Sequence, residues 1–239
     1  MKTHELDLPP GIEFHGNNSA EQTAEALALA VSDVLARKLA AGERASLAVS
    51  GGSTPLLFFR ALADQDLDWS RVDILLVDER WVSEDDPASN TALVKRCLLV
   101  GRAAKARYFG LKQPGKNPVQ ALGAVQGGLS ELTLPLDVVV LGMGNDGHTA
   151  SLFPDAPELA MAMDEQNDSL VAAMTPGSQP HGRITLTRAV LSKADFTALH
   201  LKGEDKLNTL RQACQFPAEE LAMPVRAFLK PGLEIFWSP

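Results

Sequence analysis

Within the stretch Leu136–Pro154, LDVVVLGMGNDGHTASLFP, a carboxylate and an imidazole stand two residues apart at Asp146 and His148. Histidine has an unperturbed pKa of about 6.5, so it can take up and return a proton near neutrality. A neighbouring carboxylate can fix the ring and stabilise the imidazolium. The pair follows an apolar, strand-like run and is set among glycines. That puts it at the carboxyl end of a strand, where open α/β sheets do their chemistry. The same turn spells G-x-G-x-x-G through Gly142, Gly144 and Gly147, the pattern of a dinucleotide cradle. Such a cradle needs a helix next, then a strand ending in an acid about 20 residues on. Pro154 and Pro157 interrupt any such helix, and Asp168 precedes the strand expected at 170–174 instead of ending it. A catalytic turn is the better reading. A histidine that merely hydrogen-bonds its own turn is the bland alternative.

A second glycine turn has the chemistry of an anion site. Leu47-Ala48-Val49 leads into Ser50-Gly51-Gly52-Ser53-Thr54-Pro55, which reads strand, turn, helix start. Glycines let backbone N–H groups approach an anion, and the helix N-terminus adds partial positive charge. The Gly-Lys-Ser/Thr ending of a nucleotide-phosphate loop is missing, so one phosphate monoester suits it better than a triphosphate. A tight turn with a serine N-cap is the alternative. Asp78, Glu79 and Arg80 follow another strand directly, and Ser89-Asn90 is placed to cap a helix. Arg183 begins an apolar strand. Lys206 falls near a helix start, where a cation opposes the helix dipole unless an anion shares the site.

The elements that position these residues alternate along the chain. Ser19 opens a capping box with Gln22, followed by apolar positions at helical spacing to Leu39. Strands are expected at 47–49, 72–77, 107–109, 137–141, 170–174, 183–185, 196–201 and 234–237. Helices are expected through 62 from Pro55, at 90–99, 119–132 and 205–213, with a loop over 78–89. Strands alternating with helices predict an α/β fold, a mostly parallel sheet with helices on both faces. Pro and Gly are scattered and no linker stands out, so one domain is expected over residues 1–239.

Composition excludes several classes. A net charge of −8 over 239 residues argues against nucleic acid or an anionic membrane as partner. No apolar run approaches the roughly 18–20 residues of a membrane span. The start MKTHELDLPPG lacks an apolar h-region, and Cys97 and Cys214 form no disulfide or metal pattern. A cytoplasmic protein with a small-molecule partner is expected, and a monomer is favoured. Metal binding is not expected, because His148, His181 and His200 lack compact ligand spacing. His4 and His15 read as surface residues. Ser50 and Ser53 lack a G-x-S-x-G elbow, so no serine-hydrolase triad is expected.

Taken together the segments resemble the 6-phosphogluconolactonases, within the larger group that includes the glucosamine-6-phosphate deaminases. The matching pieces are SGGSTP at 50–55, VDERWV at 77–82, SN at 89–90, GMGNDGHTASLFP at 142–154, PHGRITLT at 180–187 and KGEDK at 202–206. They run in family order over nearly the whole chain. The resemblance implies a modified Rossmann-like fold with no bound nucleotide and no cofactor. It implies hydrolysis of 6-phospho-D-glucono-1,5-lactone to 6-phosphogluconate, in the oxidative pentose phosphate pathway. On that resemblance Gly51, Gly52, Ser53 and Thr54, with Arg183 and Lys206, hold the phosphate. His148 is the general base toward a water attacking C1, and Asp146 positions the imidazole or a sugar hydroxyl. Arg80 stabilises the developing oxyanion, and Asp78, Asn90 and Gly144 contact the sugar. Two rivals remain. Deaminases usually carry Asn-Glu-Pro after the histidine turn and a tyrosine after Asp-Glu, where this chain has Ser151-Leu152-Phe153-Pro154 and Arg80-Trp81. A non-enzymatic sugar-phosphate sensor would often bring a DNA-binding segment, for which no room or basic patch precedes Ser19.

Overall fold

Strands covered on both faces are apolar throughout instead of alternating. VVVL follows that rule outright, and ASLAV and VDILL follow it except at Ser46 and Asp73, with every residue buried. The computed structural model describes residues 6–239, so the expectation for His4 lies outside the described residues. In chain order these form β1 (Glu13–Gly16), α1 (Ala20–Ala40), β2 (Ala45–Val49), α2 (Leu56–Ala63), β3 (Val72–Leu76), β4 (Asp78–Arg80), α3 (Asn90–Cys97), β5 (Arg107–Phe109), α4 (Pro118–Gly128), β6 (Val138–Leu141), α5 (Leu159–Ala162), β7 (Val171–Met174), β8 (Arg183–Leu186), α6 (Arg188–Leu191), β9 (Phe196–Lys202), α7 (Glu204–Gln215) and β10 (Leu233–Ser238). Seven strands make one sheet in the order β1-β10-β9-β6-β2-β3-β5. Every pairing in it is parallel.

That order fixes where a ligand can enter. From β2 the chain steps to β3 and β5 on one side; from β6 it steps to β9 and β10 on the other. Right-handed crossovers running in opposite directions place their helices on opposite faces. The connections that leave β2 and β6 therefore diverge, opening a crevice beyond the carboxyl ends of those two strands. The α/β sheet expected from the alternation of strands and helices is present. Ser19 caps α1 by accepting from the Gln22 N–H, while the Gln22 side chain accepts from Asn18, one residue earlier than a strict capping box requires.

Two elements depart from expectation. β1 was not anticipated, because EFHG has neither alternation nor an apolar run; it is held at the sheet edge by parallel pairing with β10. His15, expected on the surface, is part-buried there, 2.9 Å from Glu234 and stacked on Phe236. The expected loop over 78–89 is partly strand. At Val77 the chain leaves the parallel sheet: its N–H donates to Val49 O of β2, and its carbonyl accepts from Leu186 N of β8. Asp78–Arg80 then pairs antiparallel with β8 in a second sheet, ordered β4-β8-β7. Three charged residues carry no strand signal of their own, and the pairing partner supplies it.

Candidate active site

Ser50 ties the two glycine turns together across the crevice. Its N–H and Oγ both donate to Val140 O, at 3.0 and 3.1 Å, and its Oγ accepts from the Gly142 N–H at 3.0 Å. The turn beginning at Ser50 runs into α2, where Pro55 occupies the N-cap with no side-chain cap. The serine-cap alternative is thus not what forms, and the first N–H groups of α2 lack a side-chain acceptor. The turn that follows β6 folds back on itself through Gly144 N–H to His148 O and Gly147 N–H to Gly144 O. The next helix along, α5, is only four residues long, so a dinucleotide cradle has no helix to stand on.

His148 and Asp146 meet as expected. Nδ1 of His148 lies 2.6 Å from Oδ1 of Asp146, and the same oxygen accepts the His148 backbone N–H at 3.1 Å. A carboxylate only accepts, so the neutral ring carries its proton on Nδ1 and keeps the Nε2 lone pair. Burial pushes the Asp146 pKa up, but the hydrogen bond and charge of His148, with backbone N–H bonds, outweigh it and hold the carboxyl below its ordinary value. On its face the imidazole stacks on Phe153, centroids 3.9 Å apart and planes at 22°. Gly144 is the residue that makes room: a Cβ there would lie 2.1 Å from His148 Nδ1 and 2.5 Å from Asp146 Oδ1. Ala150, just beyond, has φ of +50°, an unusual value for a residue with a Cβ.

Strand alternation sorts the three charges of β4. Asp78 and Arg80 line the cavity, while Glu79 points away and caps α3, accepting from Asn90 N–H at 2.8 Å and Thr91 N–H at 2.7 Å. Ser89 completes that cap by accepting from Ala92 N–H. Asn90 donates to Asp78 O at 3.1 Å and fills the space a Cβ on Gly51 would need, 2.0 Å from its Oδ1. Arg183 is buried, with Nη1 3.5 Å from Asp78 Oδ2 and Nη2 donating to Gln179 at 2.8 Å. Its guanidinium lies 4.9 Å over the Phe153 ring. Burial lowers its pKa, Asp78 opposes that, and Arg80 adds to it. The Nε atoms of both Arg80 and Arg183 are buried without partners. Cations with unused donors are the chemistry of an anion site.

The resulting cavity, about 280 Å³, is at the small end for ligand pockets and fits a phosphorylated monosaccharide better than a dinucleotide. Gly51, Gly52, Ser53, Thr54, Asp78, Arg80, Asn90, Gly144, His148, Arg183 and Lys206 all line it. Asp146 is the sequence candidate that does not; it stands behind His148. Ser50, Met143, Ala150, His200 and Lys202 also line the wall and were not expected. Ser50 and Lys202 had a signal, each being the first residue of a recognised motif.

Residues 18–237 match the family described as glucosamine-6-phosphate isomerases/6-phosphogluconolactonase. The 6-phosphogluconolactonase of Pseudomonas aeruginosa is 47% identical over 239 residues, covering 100% of both chains. That of Pseudomonas putida is 42% identical over 240 residues, covering 100% of this chain and 98% of its own. The crystal structure of a 6-phosphogluconolactonase from Shewanella baltica superposes with a TM-score of 0.92 at 41% identity, covering 97% of this chain and 100% of that one.

Proposed function

Since the chain belongs to the glucosamine-6-phosphate isomerase/6-phosphogluconolactonase family, we propose that it hydrolyses 6-phospho-D-glucono-1,5-lactone to 6-phospho-D-gluconate in the oxidative pentose phosphate pathway. The observation that carries the reading is one cavity holding a carboxylate-oriented imidazole opposite a glycine turn and a set of cations. The phosphate rests on the Gly51–Thr54 turn and the start of α2, with Arg183 and Lys206 as counter-charges. Fixing the far end of the sugar brings C1 to His148, and orientation of this kind can supply much of the rate. His148 Nε2 takes the proton of a water attacking C1 and returns it to the departing ring oxygen. Asp146 holds the imidazole and stabilises its charged form. Arg80 stabilises the oxyanion that develops on the carbonyl. Asp78, Asn90 and Gly144 shape the sugar end of the cavity.

The deaminase rival needs a further acid after the histidine turn. The nearest acid, Asp155, is exposed and accepts from the Ser178 N–H at 2.6 Å, off the cavity wall. The test is a coupled assay that generates the lactone in situ and follows its loss with and without protein, beside a reaction with glucosamine 6-phosphate scored for ammonia. His148→Ala should abolish nearly all lactone turnover and keep phosphosugar affinity. Near-wild-type turnover in that variant would remove the general base. A protein that binds phosphosugars but accelerates neither reaction would be a sensor.

A further inference from the structure

His200 lies on β9 two residues before Lys202 and contributes to the wall of the same cavity. Only 7% of the residue is exposed. Its ring meets Phe58 edge-on, centroids 6.1 Å apart at 76°, and Phe58 belongs to α2, the helix that starts from the Ser50–Thr54 turn. Nδ1 is sealed from solvent with no hydrogen-bond partner. A buried N–H left wholly without a partner is rarer in folded proteins than an under-used buried acceptor. That favours the tautomer with its proton on Nε2, the ring nitrogen that is not sealed off in a residue lining the cavity. Burial also lowers the pKa of His200 to about 4, so the ring is neutral at physiological pH.

We propose that His200 is a binding residue for the phosphate group, donating its Nε2–H to a phosphoryl oxygen as a neutral imidazole. The proposal rests on the phosphosugar reading of the cavity and adds a donor to it. Phosphate oxygens only accept, which matches a ring whose exposed nitrogen only donates. Arg80, Arg183, Lys202 and Lys206 already line this cavity. Another buried cation would add desolvation cost and repulsion in the empty site, whereas a neutral donor adds a hydrogen bond alone.

The test is calorimetric titration of inorganic phosphate and of 6-phosphogluconate into wild type, His200→Leu and His200→Gln. The Gln side-chain amide offers an N–H at about the reach of Nε2. His200→Leu should weaken both ligands about 10-fold, the effect of one lost hydrogen bond of about 1.4 kcal/mol. His200→Gln should restore most of that, and steady-state kinetics of the Leu variant should show a raised KM with kcat near wild type. Replacing an orphaned nitrogen by carbon should also leave Tm unchanged or higher. Unchanged phosphate affinity in a folded Leu variant overturns the proposal, and a lowered Tm beside it marks His200 as a packing residue. Wild type that binds no phosphate overturns the phosphosugar reading as well, which separates the two failures. Should the Leu variant not fold, ¹⁵N-histidine spectra of wild type decide: an Nδ1–H tautomer, or an Nε2 resonance unmoved by phosphate, overturns it.

Discussion

Replacing Asp146 isolates what its charge does for His148. In Asp146→Asn the side-chain Oδ1 can still accept from Nδ1–H and from the backbone N–H of His148, as it does now at 2.6 and 3.1 Å. Geometry is kept and the negative charge is removed. The imidazole becomes an imidazolium as it takes the water proton, about 4 Å from the centre of the carboxylate charge. The Asp146 side chain is 45% exposed, so an effective dielectric between those of a protein surface and water applies, and the lost stabilisation is about 2 kcal/mol. That is about a 30-fold fall in kcat. Asp146→Ala also releases the ring and should cost about 100-fold or more. KM should stay near wild type in both, since Asp146 stands off the cavity wall. The assay is initial rate of loss of enzymatically generated lactone, corrected for spontaneous hydrolysis. If kcat stays within about 3-fold of wild type in both variants, electrostatic support of the imidazole is refuted. If KM rises and kcat holds, Asp146 acts on a sugar hydroxyl instead.

Gly144→Ala should lower kcat at least about 100-fold while phosphate still binds, because the new Cβ must push the His148 ring out of line; wild-type kcat would show that the ring has slack to spare. Burial lowers the Lys206 pKa, with Asp146 and Asp205 opposing, so its charge is lost sooner than that of an ordinary lysine as pH rises. Affinity for 6-phosphogluconate should accordingly fade as pH rises toward the ordinary lysine value of about 10.4, less so in Lys206→Arg, and Lys206→Ala should chiefly raise KM; pH-independent calorimetric affinity would remove Lys206 from the phosphate site. Asp73 is buried between Arg44 and Arg107, at 2.5 and 2.9 Å, and although burial works to raise its pKa, the hydrogen bonds from Arg107 and Arg44 hold it below the ordinary value. Asp73→Asn should cost about 2–3 kcal/mol, or roughly 5–10 °C in Tm, with activity per folded molecule intact. That stabilisation is present above the unfolded carboxyl pKa and is lost as pH falls through the lower folded one, so the gap to wild type should close on acidification; a gap that persists in acid would contradict it.

The parallel sheet and the two glycine turns were legible because their signals are local. VVVL and ASLAV are buried on both faces, and glycines with a histidine or hydroxyls announce the turns that line the cavity. What escaped depends on partners distant in sequence. DER becomes a strand only because β8 lies alongside, and that pairing turns Asp78 and Arg80 inward and Glu79 outward. EFHG is a strand only because β10 offers an edge. His200 looked like a poor metal ligand; its place under α2 depends on strand order, which pattern alone does not fix. The family resemblance offers Gly144 as a substrate contact, and its steric role appears only when the His148 ring is seen in the space of its absent side chain.

Phe153 touches the His148 imidazole through one stack and the Arg183 guanidinium through a cation–π contact. One rigid plate thus supports the group proposed to activate water and a group proposed to grip phosphate. Neither can drift without disturbing the other's seat. A lactone stripped of its phosphate would forfeit more than an anchor, because an idle Arg183 leaves the plate, and with it the base, less firmly set. Selectivity for phosphorylated lactones would then be written partly into turnover, and engineering tighter binding of the bare sugar would not by itself recover the rate.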